Sequence, residues 1–338
     1  MIWREAVGCR VRLADGRELL DLSGGFGVAA LGHRNPRIAA AWADARVVHA
    51  LGDLGEAEST RTLRDALPLP ARFGVTGEDA VEIGLRTALL HTGRPGIVAF
   101  EGAYHGLGLA ALAATGLERF RAPFAPWLPG PVHRFPYGED PGPLPGDAAC
   151  VIVEPVQGRS GCLVPPDGFL ETLRARCDEA GALLLCDEIF CGLGRTGVMW
   201  RSGELADVLL TGKALGGGLP ISAALFRHGL EHAWDWEHPD DLYTHTHAGN
   251  ALAAAAALIV LDEVPRLLGR VREAGERFEA AGWRGAGLFR AKRGDATAAL
   301  DRGVLVVPAG DDGSLMQAIP PLVITDEEID EALARLEG

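Results

Sequence analysis

The chain has 338 residues, 48% of them hydrophobic and 23% charged, which is enough for one large domain and a smaller one. Its net charge of −14 argues against nucleic acid and anionic membrane surfaces as partners. The start, MIWREAVGCRVRLADG, has no apolar h-region, and the longest apolar run, Ala251 to Leu261, is too short to cross a bilayer, so a cytoplasmic protein is expected. Six scattered cysteines read as reduced thiols rather than a disulfide framework.

Residues 1–30 read as a short β-meander: Val11 and Leu13 alternate with polar residues, Asp15-Gly16 turns, and Leu19-Leu20-Asp21-Leu22 follows. Gly24-Gly25-Phe26-Gly27 is either an ordinary loop or a place where backbone comes close to a ligand. Asn35-Pro36 opens a helix through Ile38, Ala39 and Trp42. The next helix follows Thr76-Gly77-Glu78-Asp79, with Val81, Leu85, Ala88 and Leu89 on one face and Gly93 as its stop. Thr76 and Asp79 have capping-box spacing. A helix start at a glycine presents free N–H groups that suit a phosphate, although a plain capped helix accounts for the same residues.

Ile97–Phe100 predicts a strand that ends on Tyr104 and His105, and Cys150–Glu154 predicts the next one. Pro165-Pro166-Asp167 leads into a helix with Phe169, Leu173 and Cys177 inward and Gly181 as stop. That helix feeds the apolar run Leu183–Cys186, which ends on Asp187 and Glu188. A second run, Val208–Leu210, delivers Lys213 just ahead of Gly216-Gly217-Gly218. The β-α-β alternation from 97 to 225 predicts a parallel sheet with crossovers. Ligands sit at the carboxyl ends of such strands, so an acid and an amine are expected at two neighbouring strand ends.

Towards the C-terminus, His245-Thr246-His247 has no third ligand nearby and no cysteine partner, so no metal site is expected. Two helices are predicted, from Ala251 to Val264 and from Leu267 to Phe278, followed by strand, helix and strand between Gly287 and Pro308. Thr325-Asp326-Glu327-Glu328 is a capping box ahead of a last amphipathic helix.

Lys213 carries the chemical argument. Of 32 basic residues only Lys213 and Lys292 are lysines, and Lys292, in RAKRGD, reads as a solvated surface charge. Arginine stays protonated, whereas a lysine amine can lose its proton and form a Schiff base with a carbonyl. A buried Asp at a strand end needs a cation, and the pyridinium nitrogen of pyridoxal phosphate is one. A helix-end lysine or a phosphate contact remains the alternative for Lys213.

DEIFCGLGRTG at 187–197 and TGKALGGGLPISAAL at 211–225 resemble the class III pyridoxal-phosphate aminotransferases of fold type I. The likeness extends, in order, to GRELLDLSGGFGVAALGHRNPRI at 16–38, AFEGAYHG at 99–106, VIVEPVQG at 151–158, THAGNALAAAAAL at 246–258 and IPPLVITDEEID at 319–330. It implies an α/β fold: a large cofactor-binding domain at 31–245 with a mostly parallel sheet, and a small α+β domain from 1–30 and 246–338. It also implies a homodimer with shared active sites, acting on small amines or amino acids and carbonyl compounds. Lys213 is then the Schiff-base lysine and proton carrier, and Asp187 the partner of the ring nitrogen. Thr76 with the backbone of Gly77 and Glu78 receives the phosphate, together with Thr246 of the partner subunit. Tyr104 and Ile189 flank the ring, and His105 and Glu154 complete the cofactor site. Phe26, Arg159, Phe190 and Gln317 are the expected substrate contacts.

Several residues depart from the family pattern. Glu78 stands where a small hydroxyl residue is usual, and its carboxylate must turn away from the phosphate. Gln317 stands where an arginine often holds a substrate carboxylate, Arg159 where a glutamate is frequent, and Phe190 where many members have glutamine. Members usually carry more chain ahead of the Gly24–Gly27 segment, which leads us to expect a more open pocket here; residues 45–72 are also brief for the family. Aminomutases, racemases or epimerases, and decarboxylases use the same constellation and stay open as alternatives. A cofactor-binding relic or regulatory subunit should have lost Lys213 or Asp187, and both are present.

Overall fold

A computed structural model describes residues 1–50, 55–235 and 242–337. Its centre is a seven-stranded sheet in the order Ala71–Gly74, Ser222–Phe226, Val208–Thr211, Leu183–Asp187, Ala148–Val153, Gly96–Phe100 and Val132–Phe135. The five strands from Val208–Thr211 to Val132–Phe135 are parallel to their neighbours. The sheet is mostly parallel, as expected, and within the stretch 97–225 Ser222–Phe226 is the exception, running antiparallel to both Val208–Thr211 and Ala71–Gly74. The link from Thr211 to Ser222 holds only a short 3-10 turn, Lys213–Gly216. A parallel return needs a crossover of a dozen or more residues, so the short link forces the reversal.

The strand Leu183–Asp187 shows how the sequence builds this sheet. Alternate side chains point to opposite faces. Leu183 and Leu185 pack with Val81 and Leu85 of the helix Gly77–Thr92, while Leu184 and Cys186 pack with Phe169, Leu173 and Cys177 of the helix Phe169–Ala180. Both faces are covered, which is why the strand reads as one unbroken apolar run.

Two smaller sheets complete the molecule. Trp3–Val7, Arg10–Leu13 and Glu18–Asp21 form the expected meander, and Val304–Leu305 joins it in parallel with Glu18–Asp21. The other has the order Arg284–Ala286, Phe289–Arg293, Leu315–Ala318 and Val307–Ala309. The two helices expected between 251 and 278 are one, Ala251–Ala280, continuous through Pro265. A proline inside a helix forfeits one backbone hydrogen bond. Here Val264 and Val271, both fully buried, hold the helix on either side of it. Lys292 is not a free surface charge: its Nζ donates to Ala281 O at 2.8 Å and caps that helix. No helix is long and apolar enough to cross a membrane among the described residues. All six cysteines are buried and unpaired.

Candidate active site

Four adjacent parallel strands deliver the site at their carboxyl ends. Gly96–Phe100 leads to Tyr104 and His105, Ala148–Val153 to Glu154, Leu183–Asp187 ends on Asp187, and Val208–Thr211 leads to Lys213. The acid and the amine therefore sit on neighbouring strands, as their spacing predicts.

Asp187 is 4% exposed. Its Oδ2 lies 2.7 Å from His105 Nδ1, and its Oδ1 accepts the Ile189 N–H at 3.1 Å. His105 is fixed in turn, with its own N–H donated to Thr115 Oγ1 at 3.0 Å. Glu188, the second carboxylate of the pair, points to the other face of the strand. It accepts from Arg201 N, Ser202 N and Ser202 Oγ at 2.8, 2.8 and 2.6 Å, and so holds the following loop. Glu154 Oε1 accepts from Tyr104 N at 2.9 Å and Oε2 from Gly158 N at 3.0 Å. The Glu154 carboxyl thus joins two loops at the mouth. Burial pushes its pKa up to about 7, against the pull of His105 and with help from Asp187.

Lys213 follows Gly212 with φ of 36°, a left-handed backbone that is costly for a side-chain-bearing residue and is found where function requires it. Its Nζ lies 4.1 Å from the centroid of the Phe190 ring. Burial lowers the amine's pKa, Asp187 and Glu154 oppose the shift, and Arg159 adds to it. Phe190 itself packs edge-on against Phe289 at 4.8 Å.

Thr76 caps the helix Gly77–Thr92 through the full capping box. Its hydroxyl accepts from Asp79 N at 3.4 Å, and Asp79 Oδ2 accepts from Val75 N and Thr76 N at 2.8 Å each. The N–H groups of Gly77 and Glu78 fall in the first turn and have no intrahelical acceptor. A Cβ on Gly77 would sit 2.9 Å from Ile189 Cγ2, so only glycine leaves that surface open. The Glu78 carboxylate has turned away, as expected: its Oε2 accepts from Leu107 N at 3.1 Å and Gly108 N at 2.8 Å.

Two expected site residues lie elsewhere. Gln317 is fully buried, with Nε2 donating to Gly158 O at 3.1 Å. Its Nε2 is committed to the protein interior, while its Oε1 is buried without a partner among the described residues. Thr246 is exposed on a groove of about 620 Å³ shared with His49, Arg64, Trp234, Tyr243 and His245, a groove that does not include Lys213. Thr115, Tyr137 and Ser222 were not anticipated. Thr115 supports His105, Tyr137 donates to Glu154 O at 2.9 Å, and Ser222 donates to Thr76 O at 2.6 Å. Thr115 and Tyr137 are lone hydroxyl residues with no local motif to mark them, and Ser222 is one residue within the 211–225 stretch, with nothing in the pattern to single it out.

A model of the aminotransferase class-III family matches residues 1–281. The chain belongs to that family. An acetylornithine aminotransferase of Methanopyrus kandleri is 36% identical to this class III aminotransferase, over 97% of this chain and 91% of the relative. A putrescine aminotransferase of Pectobacterium atrosepticum is 36% identical over 78% of this chain and 60% of its own length. Among solved structures, an ornithine aminotransferase from Toxoplasma gondii superposes with a TM-score of 0.90 at 26% identity, covering 99% of this chain and 89% of that one. An amine transaminase from an uncultivated Pseudomonas species, in its PLP-bound form, gives 0.90 at 25% identity, covering 100% and 94%. The fold is therefore fold type I, and the protein is a pyridoxal-phosphate-dependent transaminase.

The residues in place fit that cofactor. Among the described residues, His105 is the one ionisable hydrogen-bond partner of the buried Asp187 carboxylate, so a cationic ring nitrogen meets a need of the structure. His105 Nε2 is buried without a partner among the described residues. The helix N-terminus at Gly77 is open to an anion, and the Glu78 charge is spent on other amides.

Proposed function

We propose that Lys213 is the residue that holds the cofactor's carbonyl carbon and then carries the proton between the substrate's Cα and the cofactor. What supports this most directly is the position of Lys213: a lysine with a depressed pKa at positive φ, one strand over from Asp187. The bound pyridoxal phosphate supplies an electron sink for the carbanion formed at the substrate's Cα. Asp187, held by His105 and the Ile189 N–H, would pair with the ring nitrogen. Burial of Lys213 lowers its pKa and so favours the free amine, the form able to accept a proton. Phe190 shields that amine from water on one side. Gly77 and Glu78 would give their backbone N–H groups to the phosphate, and Tyr104 and Ile189 would contact the ring.

The phosphate site is completed in a homodimer by Thr246 of the partner subunit. Its exposed groove, apart from Lys213 in the same chain, supports that arrangement. Residues 31–245 form the cofactor-binding part, and 1–30 with 246–338 the smaller part, supported by the pairing of Glu18–Asp21 with Val304–Leu305. Substrates are small amines or amino acids and their carbonyl counterparts, of the kind named by the relatives.

Single-turnover mixing with an amine tests the reaction. Transamination predicts a carbonyl product and an aminated cofactor in equal amounts, with no second substrate present. Carbon dioxide, an inverted stereocentre or a shifted amino group without cofactor amination would assign the chain to a decarboxylase, racemase or mutase instead.

A further inference from the structure

The Arg159 guanidinium lies 5.2 Å from the centroids of both the Phe26 and the Tyr104 rings. Aromatic faces hold a guanidinium in place without cancelling its charge. Its backbone is also fixed, because Arg159 O accepts the Gly310 N–H at 2.9 Å. Arg119 braces the same loop through Asp311 O at 2.6 Å. No carboxylate pairs with Arg159 among the described residues. Phe26, one wall of the clamp, is 45% exposed, so the cation faces the mouth of the site.

Two other polar side chains nearby are enclosed, although Gln317 Oε1 and Arg195 Nη2 are buried without a partner among the described residues. Gln317 is enclosed and bonded to Gly158 O. Arg195 is 2% exposed, with Nη1 bonded to the carbonyls of Leu288 and Pro320. Arg159 is left as a rigid, unneutralised cation whose field reaches the Lys213 amine. Such a cation attracts an anion on the substrate and opposes a second ammonium.

We propose that Arg159 selects the substrate by the group remote from its reacting nitrogen, binding a carboxylate and rejecting a second amine. The inference rests on the transaminase reading and narrows its substrates to carboxylate-bearing amines and the matching keto or aldehyde acids, against diamines.

The test uses holoenzyme and three amines of equal chain length: pentylamine, cadaverine and the corresponding ω-amino acid. Loss of the cofactor's visible absorption gives a second-order rate constant for each. The ω-amino acid should react fastest and cadaverine slowest. Arg159→Ala should lower the ratio of ω-amino acid to cadaverine rates by roughly ten- to a hundredfold, the scale of hydrogen bonds to a charged partner. Arg159→Lys should restore part of it. Calorimetric binding of unreactive valerate to holoenzyme should weaken in parallel in Arg159→Ala. Faster reaction of cadaverine than of the ω-amino acid, or an unchanged rate ratio and valerate affinity in folded Arg159→Ala, overturns the assignment. Silence of all three amines alongside Arg159-dependent valerate binding would retain the anion site and count against the transfer reading.

Discussion

His105 Nδ1 and Asp187 Oδ2 lie 2.7 Å apart, and both side chains are almost wholly enclosed. His105 is itself held by Thr115, so the Asp187 carboxylate has its position set from two loops. Asp187→Asn keeps the shape and removes the charge. We expect the variant to fold and bind cofactor, but to turn over roughly a hundredfold more slowly or worse, the scale seen when one preorganised electrostatic contact is lost. Steady-state rates at saturating cofactor check this, and near-normal turnover would remove Asp187 from the ring-nitrogen role.

Gly77 and Ile189 make a steric prediction. Gly77→Ala places a Cβ 2.9 Å from Ile189 Cγ2, a crowding of order 1–3 kcal/mol. The expected result is weaker cofactor binding with a small change in the melting temperature of the apoenzyme. The double variant Gly77→Ala/Ile189→Ala should recover affinity, because the second change makes room. Additive losses in the double variant would show that the two residues do not share the cofactor surface.

Glu154 predicts a pH dependence. Burial holds its folded-state pKa near 7, above the ordinary 4.5, so the folded protein keeps this proton more tightly than the unfolded chain. The resulting stabilisation is complete below about pH 4.5 and is lost as pH rises through about 7. Glu154→Gln should be less stable overall by ~1–3 kcal/mol, since its NH2 must face one of the two N–H donors from Tyr104 and Gly158. Its melting temperature should also fall less than that of the parent apoenzyme across the same window. Parallel curves for the two proteins would place the titration on another group.

Thr246 predicts shared sites. Holoenzyme should sediment as a dimer, and Thr246→Val should raise the dissociation constant for the cofactor without dissociating the subunits. A fully loaded monomer would contradict this.

The reacting pair was legible in the sequence for a physical reason. A strand covered on both faces has to be apolar throughout, so the polar residues that end it, Asp187 and Glu188, stand out, as does the single lysine near Gly212. Periodicity did not separate the two acids, because which one faces the site depends on where the covering helices lie. The reversal of Ser222–Phe226 within a mostly parallel sheet is not visible in its composition, which matches that of its parallel neighbours, and only the short link from Thr211 distinguishes it. Gln317 lies in a strand whose inward face is set by pairing with Phe289–Arg293, and an aligned motif carries no information about burial. Lys292 was read from its polar neighbours as solvated, yet the carbonyl it caps, Ala281, is distant in sequence.

Borohydride reduction of holoenzyme, followed by peptide mapping, tests the assignment of Lys213 most directly. The account predicts a pyridoxyl group fixed on Lys213 and none on Lys292, and no fixed cofactor in Lys213→Ala treated in the same way. Recovery of the label on Lys292, or covalent cofactor in reduced Lys213→Ala, would contradict it.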